Sequence, residues 1–433
     1  MIEFKCIRCG HTKPLDDIYT CDCGGLYEVH HSFPKVSLKL FDDRLSQINS
    51  IWSSGVWRYK ELINYEIEDR YIISRPEGNT NLYKRNQVSE YSGIDRLYLK
   101  HEGENPTGSF KDRGMTVGIS VANSDGVHKV ACASTGNTSA SMAAYAAQAG
   151  IKGVVFIPEG MIAYSKLAQA LAYGSNVIQI KGNFDDAMEL IVKGSKQLGF
   201  YVLNSLNPWR IEGQKSIIFE TLQQRDWESP DWIVVPAGNL GNTAAFGKAL
   251  RELKSLGFIK NIPRIAAVQA EGANPFYKLW HSVDKKIKPV KPDTIASAIK
   301  IGNPVSWEKA LRSIKETNGT VEQVSDNEIM DAKAVIDTSG IGCEPASAAS
   351  VAGAKKLVKK GIITNEDYVV CILTGNIMKD PDTTVKYHID GLKGINTNRS
   401  NRPVLVEPSL EVIEKLFKST SKHQGSMLES IRV

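Results

Sequence analysis

Lys129-Val130-Ala131-Cys132-Ala133-Ser134-Thr135-Gly136-Asn137-Thr138-Ser139-Ala140-Ser141 is the stretch whose reading decides the fold. Its first five residues are almost wholly apolar and read as a short strand buried on both faces. Small polar residues then gather around one glycine, and an Ala/Ser-rich run to Ala149 reads as a helix. Strand, polar turn and helix in that order form the unit from which parallel α/β sheets are built. The same alternation recurs along the chain. Further strands are expected at Arg96–Lys100, Gly153–Ile157, Asn176–Ile180, Trp232–Val235, Ile265–Val268 and Tyr368–Leu373. Further helices are expected at Asp185–Leu198, Asn242–Leu256 and Glu344–Lys359. The fold class is therefore α/β, with open and mostly parallel sheets.

The chain has 433 residues, 42 % hydrophobic and 23 % charged, which suits a globular protein of two ordinary domains. Its net charge of +5 is mild and no long basic run occurs, so no nucleic-acid partner is expected. No apolar run approaches the roughly 18 residues of a membrane span, and the N-terminus lacks an apolar signal region. Seven cysteines without such a signal argue for reduced thiols and a cytoplasmic setting. Four of them fall in a cysteine-rich unit at residues 1–35, as Cys6-x2-Cys9 and Cys21-x-Cys23. Four soft ligands suffice for a tetrahedral structural zinc, although a ribbon packed without metal is the competing reading. His30 and His31, beside this unit, read as exposed polar residues. Cys132, Cys343 and Cys371 lie among apolar residues and read as core. In residues 36–70, Trp52 and Trp57 are the expected anchors. Residues 391–433 leave the alternation and read as a tail with one helix near Leu410–Phe417.

The chemistry gathers in four places. The turn Ser134–Ser141 sets hydroxyls, an amide and free backbone N–H groups at a helix start, a favourable place for an anion. Asn105-Pro106-Thr107-Gly108-Ser109-Phe110-Lys111-Asp112-Arg113-Gly114 places Lys111 where a Gly/Pro-rich loop opens into a helix. Pro236-Ala237-Gly238-Asn239-Leu240-Gly241-Asn242-Thr243 also joins a buried strand to a helix, and its glycines let the backbone aim N–H groups at a phosphate. Leu373-Thr374-Gly375-Asn376 ends the last buried strand with a hydroxyl, where open α/β sheets bind ligands. A lysine, a phosphate loop and a polar helix start together fit pyridoxal phosphate.

From about Asn79 to Asp382 the chain resembles the threonine synthases, pyridoxal-phosphate enzymes of the fold type II (tryptophan synthase β-like) group. The resemblance rests on these four motifs and on Asn204-Ser205-Leu206-Asn207-Pro208-Trp209-Arg210-Ile211-Glu212-Gly213-Gln214-Lys215, Ile301–Trp307 and Gly342-Cys343-Glu344-Pro345-Ala346-Ser347. It implies a larger cofactor-binding domain from 36–110 and 208–390, and a smaller α/β domain from 111–207. It implies the Schiff-base lysine and proton carrier at Lys111, with Thr135 beside it in catalysis. Cofactor contacts are implied for Phe110, Asn137, Gly238, Asn239, Leu240, Gly241, Asn242 and Thr374. Substrate contacts are implied for Ser134, Thr135 and Thr138, with the substrate phosphate held by Asn204, Ser205 and Arg210. The implied reaction turns O-phospho-L-homoserine and water into L-threonine and phosphate, in a homodimer. Alternatives are a cysteate synthase, another phosphoamino-acid lyase or dehydratase, or, in a different class, a zinc-ribbon binding protein on an inactive fold. Two departures stand out: Asn81 where many members have proline, and Leu240 where a small residue is frequent.

Overall fold

The computed structural model describes residues 1–159, 164–182, 184–284 and 286–418. Three sheets carry the chain. The N-terminal one is antiparallel, with β1 (Ile2–Cys6) between β2 (Thr12–Lys13) and β3 (Tyr27–His31). The central sheet runs in the order β12 (Thr320–Val324), β11 (Arg264–Ala270), β10 (Trp232–Pro236), β13 (Tyr368–Leu373), β5 (Arg96–His101), β4 (Leu82–Tyr83). Its strands are parallel except for the antiparallel β4–β5 pair. The third sheet is wholly parallel, in the order β8 (Asn176–Ile180), β7 (Lys152–Pro158), β6 (Lys129–Ala133), β9 (Tyr201–Val202).

Each strand expected from an apolar run is present, and the four expected helices begin and end within one residue of expectation. The central strands β10 and β13 are buried at every position, which is why they read as unbroken apolar runs. Asn176–Ile180 differs from its reading as a strand buried on both faces. It is the edge strand β8, half or fully exposed throughout, and its Asn and Gln face water. The tail is helical over residues 410–418, and its last part, 419–433, lies outside the described residues. Cys132, Cys343 and Cys371 are buried free thiols, as expected. No helix among the described residues is long and apolar enough to cross a membrane.

Two helices form the spine that positions the site. Lys111–Ser124 packs on Pro208–Gln223 so closely that a Cβ on Gly213 would lie 1.8 Å from the Arg113 carbonyl oxygen. A Cβ on Gly114 would come within 2.9 Å of the Arg210 carbonyl oxygen. Glycine at both places permits the approach. Beneath this contact Arg113 forks onto Glu102 at 2.6 and 2.7 Å and reaches Glu220 at 2.8 Å. Glu220 also accepts from Lys100 at 2.6 Å and from the backbone N–H groups of Asn79 and Thr80. All four charged side chains are buried, and each charge faces an opposite one.

The N-terminal sheet shares the main hydrophobic core instead of hanging from it, with Phe4 6.3 Å from Trp209 across the boundary. His31, which reads as an exposed polar residue in the sequence, is buried and bonds Glu212 at 2.6 Å. Trp57 is an anchor, its ring N–H on Thr116 at 2.8 Å. Trp52 is only half-buried and carries the Arg44 guanidinium over its ring.

Candidate active site

Strand β5 ends at His101, and one short turn leads through Asn105–Phe110 into the helix that begins at Lys111. This loop is stitched to the segment after β13. The Phe110 N–H donates to the Thr374 carbonyl at 3.1 Å, and the Asn376 N–H donates to Gly108 at 2.9 Å. Lys111 therefore stands at the C-terminal edge of the central sheet, where such sheets bind ligands. Its amine lies 4.2 Å from the centre of the Phe110 ring. Crowding by protein atoms, followed by the nearby Arg210 charge, lowers its pKa to about 7, against an opposing pull from Glu344. Lysine at that value is a usable nucleophile and proton carrier near neutral pH. The next residue, Asp112, accepts from Thr107 N–H (2.7 Å), Thr107 hydroxyl (2.6 Å) and Ser141 hydroxyl (2.5 Å). It ties the lysine loop to the facing helix, and burial raises its pKa to about 6.

The facing wall is the turn after β6 and the helix Asn137–Ala149. Ser134, Thr135, Gly136, Asn137 and Thr138 are half-buried and form an open rim. The Asn137 amide donates to both oxygens of Glu344, at 3.2 and 3.1 Å. Thr374 meets the same carboxylate at 3.3 Å and shares a hydrogen bond with Ser347 at 3.0 Å. Asn137 and Thr374 thus converge on Glu344, whose pKa burial raises. Sequence reasoning quoted Glu344 only as part of a motif. A carboxylate directly before Pro345 at a helix start was the available signal, since an acid there faces the end of a parallel strand. Asp112 and Ser347 were missed in the same way.

The third wall is the loop Gly238–Asn242 at the start of the helix Gly241–Ser255. Leu240 holds φ at +65° with its side chain buried. The family's frequent small residue is explained by this left-handed backbone, which Leu240 adopts at a cost. Asn239 accepts from Val305 N–H at 2.8 Å and donates to the Ser205 hydroxyl at 3.0 Å. Its carbonyl accepts from Ser306 N–H at 3.3 Å. Around this loop several buried polar atoms have no protein partner: both amide atoms of Asn242, the hydroxyls of Thr243 and Ser306, Nε and Nη2 of Arg210, and Oε1 of Gln214. A Cβ on Gly241 would come 3.2 Å from that Gln214 oxygen, so the helix carrying Arg210 and the loop touch here. An unmet buried polar group costs about 1–3 kcal/mol, so such a concentration marks a place for an anionic ligand. The residues present fit pyridoxal phosphate: an amine near neutrality, the polar side chains of Asn137 and Thr374 gathered on Glu344 near it, and a loop with unmet donors at a helix start.

The substrate-phosphate trio is brought to one turn, but its members differ. Arg210 spends Nη1 on the Leu203 carbonyl and keeps its other nitrogens unpartnered. Asn204 uses both amide atoms on the Ala133 backbone, each at 3.0 Å, and so fixes the end of β6. The hydroxyl of Ser205 accepts from Asn239 and retains its own proton to donate.

In the N-terminal unit, the four cysteines cluster. The sulfurs of Cys6 and Cys23 are 3.5 Å apart, those of Cys9 and Cys21 3.7 Å, and all four lie within 4.8 Å of one another. His31, Glu212 and Glu252 are also close together. Their carboxylates are already held by the amines of Lys215 and Lys248, which leaves no need for a metal there.

Residues 73–375 match the family model described as pyridoxal-phosphate dependent enzyme. Threonine synthase from Methanocaldococcus jannaschii is 45 % identical over 96 % of this chain and 99 % of its own length. Threonine synthase from Methanosarcina acetivorans is 48 % identical over 89 % of this chain and 94 % of its own. Among solved structures, threonine synthase from Escherichia coli superposes with a TM-score of 0.65 at 20 % identity, over 93 % of this chain and 95 % of that one. Maize serine racemase gives 0.62 at 20 % identity, over 78 % and 97 %, a likeness of fold. The chain belongs to the pyridoxal-phosphate-dependent enzymes and, among them, to the threonine synthases.

Proposed function

We propose that the protein converts O-phospho-L-homoserine and water into L-threonine and phosphate, with pyridoxal phosphate held covalently by Lys111. The observation that carries this reading is the pairing of two anion sites around one lysine. The loop Gly238, Asn239, Leu240, Gly241 and Asn242 suits the cofactor phosphate, and the Arg210 guanidinium, with Nε and Nη2 unpartnered, suits the phosphate of a substrate.

When bound, the cofactor supplies the electron sink that makes protons at Cα and Cβ of an amino acid removable. Lys111 would hold the cofactor, and its amine would take the Cα and Cβ protons, returning one to Cα and delivering the other to Cγ. Phe110 would pack beside the cofactor ring, Asn137 would bond its hydroxyl, and Thr374 would offer its nitrogen a neutral hydroxyl. Ser134, Thr135 and Thr138 meet the substrate at the rim, with Thr135 nearest the proton transfers. Arg210 and the Ser205 hydroxyl hold the departing phosphate, while Asn204 keeps the rim turn in place. Over the cycle the Cγ–O bond to phosphate breaks and the phosphate leaves with that electron pair. A water oxygen bonds to Cβ, and Cγ gains a hydrogen to become a methyl group.

The same reading makes residues 111–207 the smaller unit, as the four-stranded sheet between Lys129 and Val202 supports. It also takes the protein as a cytoplasmic homodimer, with a structural zinc on Cys6, Cys9, Cys21 and Cys23. Product analysis with O-phosphohomoserine tests the reaction. Threonine and phosphate in equal amounts are expected. Turnover of O-phosphoserine with sulfite, and none of phosphohomoserine, would replace this reading with cysteate synthesis.

A further inference from the structure

The N-terminal ribbon covers the three helices that support both phosphate sites, and it does so with β3. Lys248, on the helix that starts at the phosphate loop, donates to the Val29 carbonyl and to Glu212. Glu212 lies two residues from Arg210 on the second helix and is bonded by His31 of β3 at 2.6 Å. Lys309, on the helix that follows Ser306, donates to the Tyr27 carbonyl at 2.6 Å. All of these charged side chains are buried, and β3 supplies one partner to each, beside Lys215 on Glu212 and Glu252 near Lys248.

β3 is paired with β1 along its whole length, and the cysteine cluster closes the turns that leave β1 and enter β3. A metal held by four thiolates at about 2.3 Å puts tetrahedral neighbours about 3.8 Å apart. The observed 3.5 and 3.7 Å suit that edge and are too long for a disulfide bond of about 2 Å. Cys6-x2-Cys9 and Cys21-x-Cys23 each sit in a tight turn closed by glycine. Gly10 N–H donates to the Cys6 carbonyl at 3.0 Å and Gly24 N–H to the Cys21 carbonyl at 2.8 Å. Both glycines are left-handed, with φ of +76° and +78°. Arg8 N–H points at the Cys6 sulfur at 3.4 Å, as a thiolate acceptor requires. A Cβ on Gly25 would lie 2.8 Å from that sulfur, so the backbone closes over the cluster.

We infer that the bound metal is a positioning element for the active site: through β3 it holds Glu212, Lys248 and Lys309, and with them Arg210 and the phosphate loop. This rests on the zinc reading of the four cysteines. The metal would touch neither cofactor nor substrate. Its loss should therefore weaken the phosphate grip more than the proton transfers.

The test uses the cofactor-loaded, full-length protein purified under reducing conditions. Metal content, KM and kcat for O-phosphohomoserine, and inhibition by inorganic phosphate are measured on wild type, on a Cys9→Ser/Cys23→Ser variant, and on Lys248→Met. Wild type should carry one zinc per chain. The cysteine variant should lack it, with KM and the phosphate inhibition constant both raised roughly tenfold and kcat changed less than about twofold. Lys248→Met should keep zinc and show the same rise. Should the cysteine variant fail to fold, wild type stripped by a chelator and restored with zinc chloride gives the same comparison. Wild type purified without metal would overturn the zinc reading. Zinc bound but dispensable, with KM and phosphate inhibition unchanged on its removal or in Lys248→Met, would overturn the positioning role and leave the zinc reading intact.

Discussion

Lys111 is a surface-type residue in an environment that changes its chemistry. An ordinary lysine amine near pKa 10.4 is almost fully protonated at pH 7, whereas one at about 7 is half neutral. Re-attachment of pyridoxal phosphate to the cofactor-free protein should accelerate from pH 6 to 8 and level off above, as followed by the cofactor's absorbance. Glu344→Gln removes the charge that holds the amine's pKa up, so the midpoint should fall. The sign for stability follows too. The folded pKa lies below the unfolded one, so the unfolded chain binds the extra proton, and this group makes cofactor-free stability rise between pH 7 and about 10. Lys111→Ala should abolish the absorbance band altogether. Arg210→Ala should raise KM for the phosphorylated substrate by roughly ten- to a hundredfold while cofactor retention changes little, because losing one charge-assisted phosphate contact costs about 1.5–3 kcal/mol. Equal loss of both would mean that Arg210 serves the cofactor. Lys111, Arg210 and the glycine loop were legible in sequence because each sits in a local pattern of turn residues. Glu344 was not, since what marks it is convergence of Asn137 and Thr374 from two distant segments.

At the scale of elements, the strands that read as apolar runs were found, and those that did not read so were missed. Thr320–Val324 mixes Glu and Gln into its sequence because Glu322, though buried, is paired with Lys360. Tyr201–Val202 is too short for any periodicity. The Asn81 departure has a structural reason. Its N–H donates to Glu104 at 2.6 Å, and Tyr83 reaches the same carboxylate at 2.6 Å. Proline, lacking that donor, could not close this network. Leu240 balances two opposed effects. Replacement by glycine would relieve about 1–2 kcal/mol of left-handed strain but remove a buried side chain worth about 2–5 kcal/mol. Leu240→Gly should therefore lower stability by about 1–3 kcal/mol in denaturant titration and leave cofactor affinity nearly intact, because the loop acts through backbone. Gly213→Ala has no such compensation: its Cβ would strike the Arg113 carbonyl, and both folding yield and activity should collapse.

For the whole molecule, the central sheet and the helices that link it to the ribbon are joined through buried charge as well as apolar core. Glu220 joins the turn Gly78–Thr80, strand β5 through Lys100, and the lysine helix through Arg113. Despite burial, which pushes its pKa up, those two cations hold its carboxyl well below the usual range. Glu220→Gln leaves two buried cations short of a partner and should cost about 3–5 kcal/mol in a denaturant titration, with little dependence on salt. None of this was visible in the chain's mild net charge, because pairing over 120 residues of sequence leaves no local trace. The close approach of Gly213 to Arg113 carries a last consequence. Lys111 and Arg210 ride on two helices pressed into a single register, so the backbone positions from which the amine and the guanidinium reach are set by backbone contact. Such a pair works as a ruler for carbon-chain length. A three-carbon phosphorylated amino acid, one methylene short, should be used roughly ten- to two-hundredfold less efficiently than its four-carbon homologue, and the selectivity should survive substitutions at the rim.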